Sequence, residues 1–193
     1  MTGSDIYLVR HGETEWNRDG RIQGWLDSPL TPLGREQARR VGRKLARLGL
    51  GPLKVSVSPL GRTRATAEIL SEEVPLGPVT VEPRLMELSL GSWEGMTFEE
   101  IDARFPERLV GTTMHTWYFR APDGETYESA GDRAGSWLAE QTEPVLAVAH
   151  GMIGRLLRAR YLDLPWEEAQ ANPLPQDVIW HFRNGGVIAL PVD

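Results

Sequence analysis

The sequence predicts a layered α/β fold. Three observations support this class. Short apolar runs typical of β-strands recur along the chain, segments with the apolar spacing of helices lie between them, and two predicted strands end in the same dipeptide, at His11-Gly12 and His150-Gly151. Open α/β sheets bind their ligands at the carboxyl ends of their strands. We therefore expect these polar strand ends to form the functional site.

Length, composition and charge narrow the possibilities. At 193 residues the chain fits a single domain over residues 1–193, with at most an embedded cap. Its 40% hydrophobic and 25% charged residues are ordinary for a soluble globular protein. The net charge of −6 argues against non-specific binding to nucleic acid or to an anionic membrane. No basic segment followed by an apolar run precedes Arg10, so we expect a cytoplasmic protein without a signal peptide or a membrane span.

The absence of cysteine excludes several chemistries. The chain contains none, so it has no disulfide, no thiolate metal site and no cysteine nucleophile. The sequence also lacks a Walker-type loop, a His-Glu-x-x-His helix and a cluster of Cys and His ligands. We therefore expect neither a metal nor a nucleotide cofactor.

The first predicted strand carries the strongest local signal. Residues 6–9 are apolar or favour β-structure, and the chain then changes abruptly to Arg10, His11 and Gly12. A guanidinium offers a planar set of donors suited to phosphate, and a neutral imidazole offers a nucleophilic nitrogen. Glycine permits a sharp turn that brings backbone amides close to a ligand. These residues predict a phosphate-binding site with its own nucleophile.

A polar loop over residues 18–25 and then a long helix follow this strand. Thr31 is a typical N-cap and Pro32 a typical first helical residue, whereas Gly49 marks the helix end. The residues between them have apolar side chains at helical spacing, at Ala38, Val41, Leu45 and Leu48.

A second strand over residues 55–58 leads through a loop into a helix that begins near Arg62. The N-terminus of a helix has unpaired N–H groups and a positive dipole end, which both favour phosphate. A third short strand covers residues 79–81, and a loop over residues 83–95 carries Glu87. The second strand and the helix after it thus repeat the order of the first motif, in which a strand is followed by a cationic side chain.

The segment after this loop predicts a cap. Thr97 and Glu100 form a capping box, so a helix begins there and ends before Pro106. Residues 107–125 have scattered aromatic side chains without a clear period, and we expect the region of roughly 96–126 to lie over the site. Another helix is predicted from about Thr126 to Gln141.

The last part of the chain supplies a central strand and a hairpin. Residues 145–149 are continuously apolar, which is typical of a strand buried on both faces. A helix over residues 153–161 follows. Two strands at residues 178–182 and 187–190, joined across residues 184–186, are predicted to close the sheet as a β-hairpin.

Taken together, these motifs resemble the histidine phosphatase superfamily, in its phosphoglycerate mutase-like group. The likeness extends from the first strand to the closing hairpin. The matching blocks occur in the family's order: Arg10-His11-Gly12-Glu13-Thr14, Ser58-Pro59-Leu60-Gly61-Arg62, Glu87 before Gly91-Ser92-Trp93-Glu94-Gly95, and Ala149-His150-Gly151. The resemblance implies a three-layer α/β/α fold with a mixed, mostly parallel central sheet and a small cap insertion over the site.

The resemblance also implies a role for each matched residue. His11 would attack phosphorus and become phosphohistidine, while Arg10 and Arg62 would bind the non-bridging oxygens in place of a metal ion. His150 would bind the same phosphoryl group, and Glu87 would protonate the leaving group and later take a proton from water. The remaining matches are positions that contact the phosphoryl group or the substrate in the family, namely Asn17, Gln23, Gly24 and Gly151.

Two of these assignments have competitors nearby in the sequence. Arg64 lies two residues after Arg62, but the Ser-Pro-Leu-Gly-Arg pattern of the family fits Arg62. Glu87 is surrounded by other acidic residues, at Glu82, Glu94, Glu99 and Glu100.

Three functions remain open at this point. A phosphatase acting on a small-molecule phosphomonoester is favoured, because the interval from Gly95 to Pro144 is short and because Met152-Ile153-Gly154 stands where the family's mutases have Asn-Ser. The alternative is a phosphoglycerate mutase, and the third hypothesis is a non-catalytic binder of a phospho-ligand. The chain could act as a monomer or a homodimer.

Overall fold

The computed structural model describes residues 4–165, 168 and 173–192. Within these residues, six strands form one sheet: β1 (Ile6–Arg10), β2 (Lys54–Val57), β3 (Val79–Val81), β4 (Val145–Ala149), β5 (Val178–Arg183) and β6 (Gly186–Pro191). Their order in the sheet is β3-β2-β4-β1-β5-β6. The first four are parallel to one another, whereas β5 is antiparallel to both β1 and β6. The expected mixed, mostly parallel sheet is confirmed.

Helices connect the strands. Their bounds are α1 (Glu15–Arg18), α2 (Pro32–Leu48), α3 (Gly61–Glu73), α4 (Phe98–Arg104), α5 (Pro106–Leu109), α6 (Tyr127–Ala139) and α7 (Gly151–Leu162), with 3₁₀ turns at Pro83–Leu85, Gly91–Trp93 and Trp117–Arg120. None of the helices in the described ranges is both long and apolar enough to cross a membrane.

The two faces of the sheet carry separate apolar cores. Alternate residues of a strand point to opposite faces, and in β1 Tyr7 and Val9 pack with side chains of α2 and α3. Ile6 and Leu8, on the other face, pack with α6 and α7. The strand β4 divides in the same way, and all five of its residues are buried. The result is the three-layer arrangement that the resemblance implied.

Local sequence signals explain several element ends. Thr31 caps α2 by accepting a hydrogen bond from the Gly34 N–H, and Gly49 ends the helix with φ = 64°. The turn of the closing hairpin consists of Asn184 and Gly185, both at positive φ, as a two-residue turn between twisted strands requires. The polar loop predicted over residues 18–25 is present from Asp19 onward. The short helix α1 before it, which the sequence did not predict, begins at a capping box of Thr14 and Asn17 and buries no residue.

The chain after β1 lies directly against the N-terminus of α2. A Cβ atom on Gly12 would come within 2.1 Å of the Gly34 carbonyl oxygen, and one on Gly34 would come within 2.0 Å of the Glu13 carbonyl oxygen. No side chain fits at either position. This close approach fixes the backbone immediately after His11.

A cap covers the site, as expected. Its helices α4 and α5 and the turn at Trp117–Arg120 pack on a buried cluster of Leu90, Trp93, Met96 and Ile101. Tyr118 belongs to this cap and also lines the cavity at the strand ends described below.

Candidate active site

The polar ends of the central strands meet at one edge of the sheet. Arg10 is the last residue of β1 and His11 follows it, while His150 follows β4. Because β1 and β4 are paired, the two histidines lie together, with ring centroids 5.2 Å apart and an interplanar angle of 62°. Arg62, in the first turn of α3 after β2, reaches the same place. The structure thus brings together residues that are distant in the sequence.

His11 is buried and held in one tautomer. Its Nδ1 lies 2.7 Å from the Gly12 carbonyl oxygen, which can only accept, so Nδ1 carries the proton. The Nε2 atom is therefore unprotonated, and it accepts a hydrogen bond from Arg62 Nε at 3.3 Å. Burial, together with the positive charges of Arg62 and Arg10, holds the pKa of His11 well below its usual value. The imidazole is thus neutral, with its lone pair on Nε2.

Arg62 is fixed by its surroundings. Nη1 donates to the Leu26 carbonyl and to the Asp27 carboxylate, both at 2.8 Å, and Nη2 donates to the Gly24 carbonyl at 2.7 Å. The Asp27 carboxylate also accepts the backbone N–H groups of Gly61 and Arg62. The guanidinium is almost fully buried, so its position depends on these acceptors. Its competitor Arg64 is exposed and lines a different groove, beside β3.

Arg10 supplies a second guanidinium. Its Nη1 donates to the Leu174 carbonyl at 3.0 Å, and its Nε has no hydrogen-bond partner among the described residues. Burial lowers the pKa of Arg10, an effect that the Glu87 carboxylate opposes. A Cβ on Gly151 would lie 3.4 Å from the Arg10 guanidinium carbon. Gly151 therefore packs against Arg10 and does not itself line the cavity.

His150 is fully buried. Its Nε2 is 2.7 Å from the Ser58 hydroxyl, while its Nδ1 has no partner in the described part of the chain. Burial and the positive charge of Arg62 hold its pKa well below the usual value. Buried polar atoms are almost always paired in folded proteins. The Nδ1 of His150 and the Nε of Arg10 are two of several exceptions among the described residues, and both lie at this edge of the sheet, where a polar ligand would pair with them.

Glu87 lies across the cavity at the N-terminus of α7. Its carboxylate accepts the backbone N–H groups of Met152 at 3.1 Å, Ile153 at 2.9 Å and Leu88 at 3.0 Å. The positive end of a helix dipole favours a carboxylate at this position. Its main-chain carbonyl accepts from Trp25 Nε1 at 2.8 Å. Both the backbone and the side chain of Glu87 are therefore held in place.

The cavity between these groups is small, with a volume of about 140 Å³. Drug-sized ligand pockets are typically about 300–1,000 Å³, so this one suits a phosphoryl group and little more. Its lining comprises Arg10, His11, Asn17, Arg21, Ile22, Gln23, Gly24, Arg62, Glu87, Leu90, Tyr118 and Met152. Asn17, Gln23 and Gly24 are thus at the site. The Asn17 carboxamide oxygen already accepts from Thr14 and Gln176, which leaves its NH₂ group for a ligand.

Sequence reasoning missed several residues of this site. Asp27 supports Arg62 and lies in a polar loop that has no distinguishing pattern. Ser58 pairs with His150, and its place in a matched motif was the available signal. Arg21, Tyr118 and Met152 line the cavity without a periodic pattern that could have identified them.

The arrangement is chemically an anion site with a nucleophile. The guanidinium groups of Arg10 and Arg62, the neutral imidazole of His11 and the Glu87 carboxylate line one small cavity. The imidazole of His150 is buried behind His11 and is not part of the lining. No group of three His, Cys, Asp or Glu side chains suitable for a metal ion occurs in residues 4–165, 168 and 173–192. The positive charge at this cavity comes from arginine side chains.

Comparisons with known proteins identify related sequences and structures. The model of the histidine phosphatase superfamily (branch 1) matches residues 6–182. Probable phosphoglycerate mutase GpmB of Citrobacter koseri is 40% identical over 172 residues, which cover 84% of this chain and 77% of the relative. The structure of Bacillus stearothermophilus YhfR is 32% identical with a TM-score of 0.81, covering 97% of this chain and 96% of that one. A mycobacterial glucosyl-3-phosphoglycerate phosphatase, Rv2419c, solved in a complex with VO3, is 33% identical with a TM-score of 0.77, covering 92% and 90%.

Proposed function

Because the chain belongs to the histidine phosphatase superfamily, we propose that it is a metal-independent phosphomonoester hydrolase that acts through a phosphohistidine on His11. One observation carries this proposal. The Nε2 atom of His11 is unprotonated and buried, and it faces a cavity in which Arg62 already donates to it. A neutral imidazole beside two guanidinium groups is the arrangement that nucleophilic attack on a phosphate requires.

In the first step, Arg10, Arg62 and His150 bind the non-bridging oxygens of the substrate. His11 Nε2 forms a bond to phosphorus, and the bond from phosphorus to the leaving oxygen breaks. Glu87 gives a proton to that oxygen. The Nδ1–H of His11 stays on the Gly12 carbonyl, which supports the positive charge that develops on the ring.

In the second step, water attacks the phosphohistidine. Glu87 takes a proton from the water, the bond between phosphorus and Nε2 breaks, and inorganic phosphate leaves. His11 and Glu87 return to their starting states, so the cycle balances with water as the co-substrate. Two arginine side chains provide the charge compensation that metal ions provide in other phosphoryl-transfer enzymes.

The cap supports a substrate whose alcohol part is apolar or aromatic. A second cavity of about 510 Å³ lies in the cap and is lined by Phe98, Asp102, Leu109, Thr112, Thr113, Met114, Trp117 and Tyr118. Tyr118 borders both this cavity and the catalytic one. A leaving group that extends past Tyr118 would contact mostly apolar side chains.

A mutase is the alternative, and the name of the Citrobacter koseri relative favours it. A mutase must hold the second anionic group of a phosphoglycerate close to the phosphohistidine. Besides Arg10 and Arg62, the described cavity is lined by one further cation, Arg21, whose Nη1 already donates to the Gly95 carbonyl and to Glu100. This supports hydrolysis over transfer. A non-catalytic binder is disfavoured by the intact set of reacting groups.

The test is a steady-state assay with p-nitrophenyl phosphate and with 3-phosphoglycerate, from pH 5 to 8 in the presence of EDTA. We expect phosphate release from the first compound without isomerisation of the second. Isomerisation that is stimulated by bisphosphoglycerate would establish the mutase instead. A loss of activity in EDTA that added metal restores would contradict the role of the arginines.

A further inference from the structure

The Glu94 carboxylate joins two loops that border the catalytic cavity. One is the clamp loop, residues 23–28, which holds Arg62, and the other is the acid loop, residues 86–90, which carries Glu87. Glu94 Oε1 accepts the backbone N–H of Trp25 at 3.0 Å and Oε2 accepts that of Leu26 at 3.1 Å. Oε1 also accepts the Leu90 N–H at 3.0 Å and the Ser89 hydroxyl at 3.3 Å. A single side chain therefore binds both loops.

The bonds to the clamp loop lie next to the acceptors of Arg62. The carbonyls of Gly24 and Leu26 bind the two terminal nitrogens of the guanidinium, and Asp27 follows directly. The two N–H groups that Glu94 accepts belong to residues 25 and 26, within this run. Their position determines where the carbonyls point, and hence where the buried guanidinium lies.

The bonds to the acid loop lie close to Glu87 in the chain. Glu94 fixes residues 89 and 90, and Trp25 of the clamp loop donates directly to the Glu87 carbonyl at 2.8 Å. The two loops thus contact each other through Trp25 and are both tied to Glu94. A shift of the carboxylate would move the proton donor and the phosphate clamp together.

A second, independent observation is that the Glu94 carboxylate fills the space beside Gly24. Gly24 has φ = 53°, and a Cβ atom there would lie 2.2 Å from Glu94 Oε1. The carboxylate occupies the volume that any side chain at position 24 would take. The clamp loop is therefore shaped around this carboxylate.

We propose that Glu94 is a positioning residue that keeps the Arg62 clamp and the Glu87 proton donor in register across the cavity. This inference rests on the proposed hydrolase function, because register matters only if both groups act on one substrate. Glu94 lies outside the lining of the cavity and touches no reacting atom. It acts through the two loops.

The test uses Glu94→Gln, which keeps the shape of the side chain but replaces one accepting oxygen by an NH₂ group that faces an N–H donor. We expect kcat/KM for alkyl phosphates to fall about tenfold, the usual scale for an unpaired buried donor. Two further changes are expected together. The inhibition constant of inorganic phosphate should rise, and hydrolysis should depend more steeply on the leaving group.

Three other variants separate these two effects. Asp27→Asn should raise the phosphate inhibition constant alone, and Glu87→Gln should steepen the leaving-group dependence without raising that constant. Glu82→Gln is the matched control, since Glu82 also accepts a backbone N–H, from Arg84, but contacts neither loop. It should change neither quantity. If Glu94→Gln changes only one quantity, or lowers the melting temperature and changes neither, the proposal is wrong.

Two further measurements apply if the Glu94→Gln variant does not fold or if the wild-type protein has no hydrolase activity. If Glu94→Gln does not fold, Trp25→Phe removes the direct donor to the Glu87 carbonyl and should steepen the leaving-group dependence; an unchanged dependence would overturn the proposal. If the wild-type protein hydrolyses no substrate, calorimetry with inorganic phosphate still tests Glu94. Weaker phosphate binding by Glu94→Gln than by Glu82→Gln would support its role, and equal binding would overturn it.

Discussion

The strand ends and the cap differ in how their side chains are held. At the strand ends, His11, Arg62 and His150 are buried, and each has a hydrogen bond to a backbone carbonyl or a side chain of the surrounding structure. The cap exposes large apolar side chains instead, with Phe98 at 44% and Met114 at 74% exposure. The side chains at the strand ends are therefore held in a fixed geometry, whereas the cap offers an adaptable apolar contact area.

This difference separates two tasks within one site. Preorganised donors stabilise the charge of a transition state because they need not reorient during the reaction. An apolar surface contributes to binding in proportion to the area that it covers, with little demand on geometry. We expect changes at the strand ends to act on kcat for every substrate. Changes in the cap should act mainly on the choice of substrate.

The largest effect should follow from His11→Ala. Loss of the nucleophile should lower kcat by about 10⁴-fold or more, while circular dichroism shows a folded protein, because the imidazole serves chemistry more than packing. Acid-quenched wild-type enzyme should carry a phosphohistidine that the variant lacks. Wild-type activity in the variant would contradict the proposed mechanism. It would also contradict the division of tasks between the strand ends and the cap.

Arg62→Ala should reduce kcat/KM by about 10²–10³-fold, the range seen when a preorganised donor to a transition state is removed. The matched control is Arg64→Ala, two residues along the same helix with an exposed side chain. The control should keep wild-type kinetics. Similar losses in both variants would mean that the helix α3, and not the clamp, had been disturbed.

Glu87→Gln should slow alkyl phosphates about 10²-fold or more and p-nitrophenyl phosphate much less, because a good leaving group needs little protonation. The ratio of the two rates is the quantity to measure. If both substrates are slowed equally, another group provides the proton, and Glu87 belongs with the supporting residues of the site.

Trp117→Ala probes the cap. It removes a side chain that packs on Tyr118, with ring centroids 4.2 Å apart, and that lines the cap cavity. We expect KM for aryl phosphates to rise about tenfold, since burial of an aromatic group is worth about 1.5–3 kcal/mol. The inhibition constant of inorganic phosphate should not change. A parallel rise in both constants would show that cap and strand ends are not separable.

The smallest effect is a pH dependence of stability. His11 and His150 have pKa values lowered by burial, whereas histidine in an unfolded chain titrates near 6.5. The unfolded state therefore binds more protons as pH falls below about 6.5, so the free energy of unfolding decreases by up to about 1.4 kcal/mol per pH unit and per histidine. Urea denaturation at pH 5, 6 and 7 measures this slope, and His150→Gln should reduce it. An equal slope in the variant would contradict the assignment of buried neutral histidines.

Local signals account for most of what the sequence predicted correctly. The caps at Thr31 and Thr97 and the turn at Asn184 and Gly185 depend on a few neighbouring residues. The family could be identified from the order of the matched motifs, because four separate blocks along the chain agree with its pattern. The sheet order follows from pairing between distant segments, and the resemblance supplied its mixed character.

What the sequence could not predict depends on contacts between distant segments. Asp27 contacts Arg62 across 35 residues of the chain, and Glu94 contacts Trp25 across 69, so both roles exist only in the folded protein. The cap segment gave no period because Trp117 and Tyr118 pack on Trp93 and its neighbours, not on a stripe of their own helix. Glu87 was identified from the family pattern, and nothing local distinguished it from nearby glutamates.

The position of β4 has a consequence for how the protein is made. It lies between β1 and β2 in the sheet, and its Val145 pairs with both Ile6 and Lys54. In a chain growing on a ribosome, His11 and Arg62 therefore follow strands that cannot join until β4, at residues 145–149, has been synthesised. Pairing of such distant segments is slow, and the apolar edges of β1 and β2 stay exposed until β4 is available. We therefore expect the residues of the candidate site to come together in one late step of folding.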